Sequence, residues 1–341
     1  MTKQTPFQSV VDALLDTTKH FPTKYLPYFS DIDPASLQLT LDAWPRVELT
    51  RKRTLLADLH SLLSADTIVS FDDFARALLT DPDAPIRAGA IRLLAECEDV
   101  ELIPVYAKIL ASDPDPTVRA EAANILNLYI DLGELDEIPE KALHQAEETL
   151  LAAVHDDSTT VRRRALESLG YSSRPEVPPL IEAAFQRGAP DWLASALIAM
   201  GRSQDERWIE PVIAMLLNDE PEVRLEAARA AGELEMDEAR LPLLRLLEEE
   251  DDAEVISAAI WSLSQIGGED VRAYLENLLD ATEDEDEIAF IEDAIANLSF
   301  TEDLEKFDLL AFNPDDELED LVELDELDEE EEKPKRKKSS N

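Results

Sequence analysis

Four histidines and a single cysteine are the side chains of this 341-residue sequence best suited to hold a metal or to serve as base and nucleophile. None of His20, His60, His144 and His155 is followed by glutamate, and a site built from carboxylates alone would suit only a hard cation. His144 and His155 stand eleven residues apart on one predicted helix and can share a face, where they read as solvated surface histidines. Cys97, within Leu94-Ala95-Glu96-Cys97-Glu98, has no partner for an intramolecular disulfide. That suits a reducing cytosol, and the thiol reads as a buried one at a helix end. Gly170-Tyr171-Ser172 and Gly201-Arg202-Ser203 do not complete a nucleophile elbow, and no glycine-rich phosphate loop occurs. No catalytic, metal or cofactor-binding residue is assigned, and no cofactor is expected.

The elements that would position any site are helical. A hydrophobic share of 45%, 6% aromatic residues and only 8 glycines disfavour a turn-rich β fold. A formal net charge of −46 repels nucleic-acid phosphates and anionic lipids, so partners should be basic, neutral or apolar proteins. No window reaches the ~20 apolar residues needed to span a bilayer, and the start Met1-Thr2-Lys3-Gln4-Thr5-Pro6 lacks the apolar core of a secretory signal. The expected location is the cytoplasm.

The chain repeats itself. A β-branched or bulky anchor followed by an alanine-rich stretch recurs at Ile86, Val118, Val161, Trp192, Val223 and Val255, at intervals of 32, 43, 31, 31 and 32 residues. A weaker copy lies around Glu287 to Ile291. The long interval holds an insertion at 131–140, followed by a helix over 140–154. Small or apolar residues four, seven and eight positions after the anchor mark one buried helix face, as with Ala122, Ile125 and Leu126. A second apolar stretch precedes each anchor and carries proline near its start, as in Pro104, Pro211 and Pro242, where a helix begins. Asp-Pro-Asp and Asn-Asp-Glu-Pro turns separate the two. The unit is helix, turn, helix.

With an aspartate in the turn and a Val/Ile-Arg pair opening the second helix, the pattern resembles the HEAT-repeat family, in particular the short repeats of phycobilisome lyases. The resemblance spans residues 71–298 and implies an α-solenoid. It also implies that Asp81 with Arg87, Asp113 with Arg119 and Asp156 with Arg162 form a structural ladder of hydrogen bonds linking successive repeats. Leu193 and Ile256 replace the arginine and Asn218 the aspartate, so the ladder is expected to break. The segment from Asp42-Ala43-Trp44-Pro45-Arg46-Val47 to Arg51-Lys52-Arg53 is similar to one in bacterial HEAT-repeat proteins. Deoxyhypusine hydroxylase, whose di-iron site uses His-Glu pairs, and bilin lyases are the enzymes in this class; the present histidines do not match the former.

About seven two-helix repeats are thus expected over 71–300, preceded by a helical cap over 1–70 and followed by a disordered acidic tail over 301–341 that ends in the basic run Lys333 to Lys338. The tail contains one short apolar stretch, Phe307 to Phe312. Solenoid ends need such atypical caps. Positions three and six after each anchor are expected to form one exposed, mostly polar face: Gly89 and Arg92, Glu121 and Asn124, Arg164 and Glu167, Ser195 and Ile198, Glu226 and Arg229, Ala258 and Trp261. Trp261 and Ile198 depart from that polarity, and with Arg163, Arg164 and Arg229 they are the candidate protein contacts. Arg162, Arg163, Arg164, Arg174, Arg187, Arg202 and Arg207 further suggest a basic patch that receives an acidic segment, such as the tail. The function expected is a non-catalytic protein-binding scaffold or assembly factor; the alternative is a modifying enzyme, lyase-like or a metal-dependent hydroxylase.

Overall fold

The computed structural model describes residues 7–66 and 68–307, apart from the side chains of residues 269 and 301–307. Among these residues there is helix and no strand. The expected tail start at Thr301 falls inside the last helix; the rest of the tail, its apolar stretch beyond Phe307 and the basic run lie outside the described residues.

The N-terminal segment holds α1 (Gln8–Leu15), α2 (Pro34–Ala43) and α3 (Leu49–Ala65). Seven helix pairs follow: α4 (Asp72–Leu78) with α5 (Ala84–Arg92), α6 (Ile103–Ser112) with α7 (Pro116–Glu134), α8 (Glu140–Ala153) with α9 (Thr159–Leu169), α10 (Val177–Phe185) with α11 (Pro190–Arg202), α12 (Ile209–Met215) with α13 (Pro221–Glu233), α14 (Arg240–Glu249) with α15 (Ala253–Ile266), and α16 (Glu269–Ala281) with α17 (Glu285–Phe307). The chain forms two compact units, Met1–Ser262 and Leu263–Asn341.

Second helices start where the turn chemistry requires. Pro85, Pro116, Pro190 and Pro221 fill the first turn, where a missing N–H costs nothing, and Asp83 and Asp115 cap α5 and α7 by accepting the N–H of Ile86 and Thr117. The anchors Ile86, Val118, Val161, Val223 and Val255 are fully buried, as are Ala90, Ala122, Ala165, Ala196, Ala227 and Ala259 four residues on. Trp192 differs: it is half-buried, with Arg187 lying 4.0 Å from its ring centre.

In the first unit the second helices stack in order, α5 on α7, α7 on α9, α9 on α11 and α11 on α13, and α6 packs on α8. This is the arrangement of a helical solenoid. Small residues set its spacing. A Cβ on Gly170 would fall 2.8 Å from the Ala199 Cα, so α9 and α11 meet backbone to backbone. The insertion expected at 131–140 is partly helical, because α7 runs on to Glu134 before a short connection to α8.

α3 covers the open side of α5, and Leu56 lies where a Cβ on Gly89 would fall 2.8 Å away. Trp44, in a short 3-10 turn after α2, donates its Nε1–H to Asp81 Oδ2 at 2.8 Å. Its ring meets Phe74 edge-on at 5.6 Å. In the second unit α16 and α17 pack together, burying Val271, Leu275, Ile291, Ala294 and Leu298.

Candidate protein-binding surface

The stacked second helices bring the positions three and six after each anchor next to one another, and much of that face is tied together across repeats. Arg92 on α5 meets Glu121 on α7 at 2.5 Å. On α9 and α11, Ser195 Oγ donates to Glu167 Oε1 at 2.6 Å and accepts from Arg163 Nε at 2.8 Å, while Arg163 also reaches Asp191 at 3.1 Å. Arg164 pairs with Glu167 Oε2 at 2.6 Å, and Arg202 donates to the Glu167 carbonyl at 2.9 Å. On α13, Glu226 and Arg229 pair at 2.9 Å. Burial pushes the Glu226 carboxyl above the usual range, against the pull of Arg229.

The expectation of one solvated face therefore needs correction. Gly89, Glu167, Ser195 and Ala258 are buried. The third position after the anchor, and at Glu167 the sixth, lies on the flank of the helix, and in a stack the flank is what the neighbouring second helix covers. Ile198 is half-buried, whereas Trp261 is 41% exposed and Arg229 is exposed. A recess of about 310 Å³ opens between α7 and α9 on this side, lined by Thr117, Glu121, Asn124, Thr160 and Arg164.

The ladder side is built from the turns. Arg87 closes on Asp113 of the next repeat through two bonds of 2.7 Å and donates Nη1 to the Asp81 carbonyl at 2.8 Å. Arg119 does the same with Asp156, at 3.0 and 2.9 Å, and with the Asp113 carbonyl at 2.9 Å. Each arginine thus takes the next repeat's side chain and its own repeat's backbone. Arg162 keeps the backbone half, donating to the Asp156 carbonyl at 2.7 Å.

One rung was missed in the sequence: Arg224 grips Glu250 at 2.6 and 2.8 Å and donates to the Asn218 carbonyl at 2.8 Å. Asn218 serves because only its carbonyl is needed. Glu250 stands three residues before its second helix, as the ladder aspartates do, and admitting glutamate at that position would have found it.

Of the seven arginines expected to form a basic patch, four are paired with carboxylates. Arg163 and Arg164 are engaged as above, Arg174 with Glu148 and Glu176, and Arg207 with Asp205 at 2.6 Å. Arg202 also lies over the Tyr171 ring. Among the described residues, Arg162 and Arg187 alone of the seven have neither a carboxylate partner nor, like Arg202, a contact tying them across to the neighbouring second helix.

No three His, Cys, Asp or Glu side chains gather as metal ligands among the described residues. His155 lies past the end of α8, so it does not share a helix face with His144; Ala153 is the last helical residue. Cys97 is buried, and desolvation, followed by a hydrogen bond with Asp72, pushes its thiol up.

Residues 72–143 and 209–296 match the family model of HEAT repeats. The chain carries HEAT repeats. Several solved structures align with the chain, each with a TM-score below 0.5. Escherichia coli YibA is 15% identical, with 88% of this chain and 98% of that chain covered and a TM-score of 0.41. An engineered protein is 20% identical over 86% and 88%, with a TM-score of 0.35. Human deoxyhypusine hydroxylase in complex with glycerol is 17% identical over 76% and 95%, with a TM-score of 0.33. No curated protein matches the chain. Among the described residues no helix is long and apolar enough to cross a membrane.

Proposed function

We propose that this protein is a non-catalytic, cytoplasmic scaffold or assembly factor that binds other proteins through the face formed by its second helices. The observation that carries this reading is Trp261, an indole 41% exposed at the sixth position after the anchor of α15, where Arg92 and Arg229 stand on α5 and α13. Interfaces draw most of their energy from a few aromatic or arginine anchors ringed by weaker contacts, and Trp261 with Ile198 supplies apolar anchor area. Arg163, Arg164 and Arg229 are the polar surroundings. Because they already hold carboxylates, their contribution is to partner selection and association rate more than to affinity. The net charge of −46 favours partners that are basic, neutral or apolar and disfavours nucleic acid.

The test is capture of interacting proteins from native lysate with the wild-type chain and with a Trp261→Asp, Ile198→Asp double variant, both quantified by mass spectrometry. A stoichiometric partner lost with the double variant is the expected result. Retention by both removes this surface, and absence of any partner removes the scaffold reading.

A further inference from the structure

The junction between the third and fourth repeats keeps the ladder arginine, Arg162, but lacks the rung found at the two junctions before it. Three residues before each second helix stand Asp81, Asp113, Asp156, Asn218 and Glu250, and at α11 Arg187. In the first five, a side-chain oxygen turns back to accept the backbone N–H two residues on, at 2.8 to 3.1 Å. Arg187 has no oxygen to offer. The chain turns there instead on Gly188, whose φ is +65°, the left-handed region that glycine enters without strain. A Cβ on Gly188 would meet nothing within 4 Å, so the turn is open on that side.

Arg162 is nevertheless held in the ladder manner. Its Nη1 donates to the carbonyls of Asp156 and Asp157 at 2.7 and 3.1 Å, and its Nη2 donates to Thr159 Oγ1 at 2.8 Å. Arg87, Arg119 and Arg224 make the same Nη1 bond and complete their forks with a carboxylate of the following repeat. Arg162 has in that register an arginine, Arg187, whose guanidinium lies 4.0 Å from the half-buried Trp192 ring centre. Neither arginine lies within 4 Å of a carboxylate among the described residues. In a chain of net charge −46, where the other five arginines of this cluster are otherwise engaged, two at one junction with no carboxylate within 4 Å among the described residues form a local exception.

We propose that this turn docks an acidic peptide segment of a partner protein. One carboxylate of the segment takes the bidentate fork of Arg162, the place that Asp113, Asp156 and Glu250 fill at the other junctions, and an adjacent apolar side chain packs on Trp192 beside Arg187. A carboxylate is chosen because the position is dimensioned for one by the chain's own rungs, and the guanidinium fork is built for bidentate pairing. The inference rests on the protein-binding reading and gives that reading a second, separate contact.

The test uses the full chain and a fluorescein-labelled peptide of alternating glutamate and leucine, followed by anisotropy at about 50 mM salt, where charge pairing is weakly screened. The decisive variant is Arg187→Asp, which places an internal carboxylate in the register of the missing rung. It should weaken peptide binding at least tenfold and raise the thermal midpoint. Arg187→Gln, which leaves the fork open, should bind between wild type and Arg187→Asp. Arg245→Asp, the same charge change on α14, should bind as wild type does. The proposal is overturned if the wild-type chain does not bind, if it binds the glutamine analogue of the peptide equally, or if Arg245→Asp loses as much as Arg187→Asp. The Trp261→Asp, Ile198→Asp chain should keep the peptide, so loss of the lysate partner there leaves this site standing, and loss of peptide binding in Arg187→Asp leaves the second-helix face standing.

Discussion

Arg87 holds Asp113 of the following repeat with two nitrogens, both at 2.7 Å, while its third reaches back to the Asp81 carbonyl. One side chain thereby fixes a turn within its repeat and the spacing to the next. Both partners are largely sheltered from water, with side-chain exposures of 11% and 8%. Removing one member of such a pair leaves the other charged and poorly solvated. Arg87→Leu should therefore destabilise the first unit by about 3 kcal/mol, read as a lowered urea midpoint. Arg53→Leu, which removes a solvent-exposed partner of Asp83, should cost far less.

The same rungs set an acid limit. Burial alone would raise the Asp113 carboxyl, but the Arg87 bonds and the Asp115 N–H outweigh it and hold it below the usual range. Glu250 is held low chiefly by Arg224. A depressed folded pKa contributes stability that is complete above the unfolded value, about 3.9 for aspartate and about 4.3 for glutamate, and is lost as pH falls through the folded value. Unfolding should steepen below about pH 4. In Asp113→Asn the stability should be lower at neutral pH and its decline in acid shallower, measured by thermal melts across a pH series.

Glu226 predicts the opposite sign. Its carboxyl is raised by burial, so the folded state prefers it protonated and its contribution falls as pH rises from the ordinary glutamate value through the raised one. Glu226→Gln should be neutral or stabilising at neutral pH, where Asp113→Asn is destabilising. If both variants destabilise alike, the carboxylate environments are not as different as their geometry indicates.

These contrasts mark where the sequence was readable. Anchor spacing, alanine placement and proline positions identify seven helix pairs, because burial of one helix face repeats with the helix itself. The ladder was legible where aspartate and arginine recur. It was lost at Arg224 and Glu250, because the backbone carbonyl of Asn218 serves whatever side chain stands there, and a glutamate can take the place of an aspartate. The buried Glu167 and Ser195 were read as solvated because a helix pattern carries no information on how closely the next helix approaches its flank. The open fork of Arg162 depends on that same relation between neighbours and was hidden within a longer run of arginines.

Close approach has its own consequence at Gly170. A Cβ there would lie 2.8 Å from the Ala199 Cα and 2.9 Å from the Ala199 carbonyl oxygen, both backbone atoms that cannot rotate away. Gly170 follows the last residue of α9, so Gly→Ala gains little helix propensity, while overpacking costs about 1–3 kcal/mol. Gly170→Ala should on balance destabilise, in the range of about 1–3 kcal/mol. Hydrogen exchange should show the loss concentrated in α9 and α11.

The N-terminal segment should prove necessary to the array. α3 lies against α5 at Gly89, and Trp44 gives Asp81 the hydrogen bond that an arginine gives the later rungs. Trp44→Phe keeps an aromatic ring against Phe74 but leaves a buried carboxylate oxygen without its donor, at a cost of about 1–2 kcal/mol. Deleting residues 1–70 goes further, exposing the alanine-rich flank of α5 that α3 covers. A solenoid whose end is opened in this way joins other copies through that face. Light scattering should show concentration-dependent association of the truncated chain and none for Trp44→Phe, which loses the bond and keeps the cover. A monomeric, equally stable truncated chain would mean that the repeats close their own end.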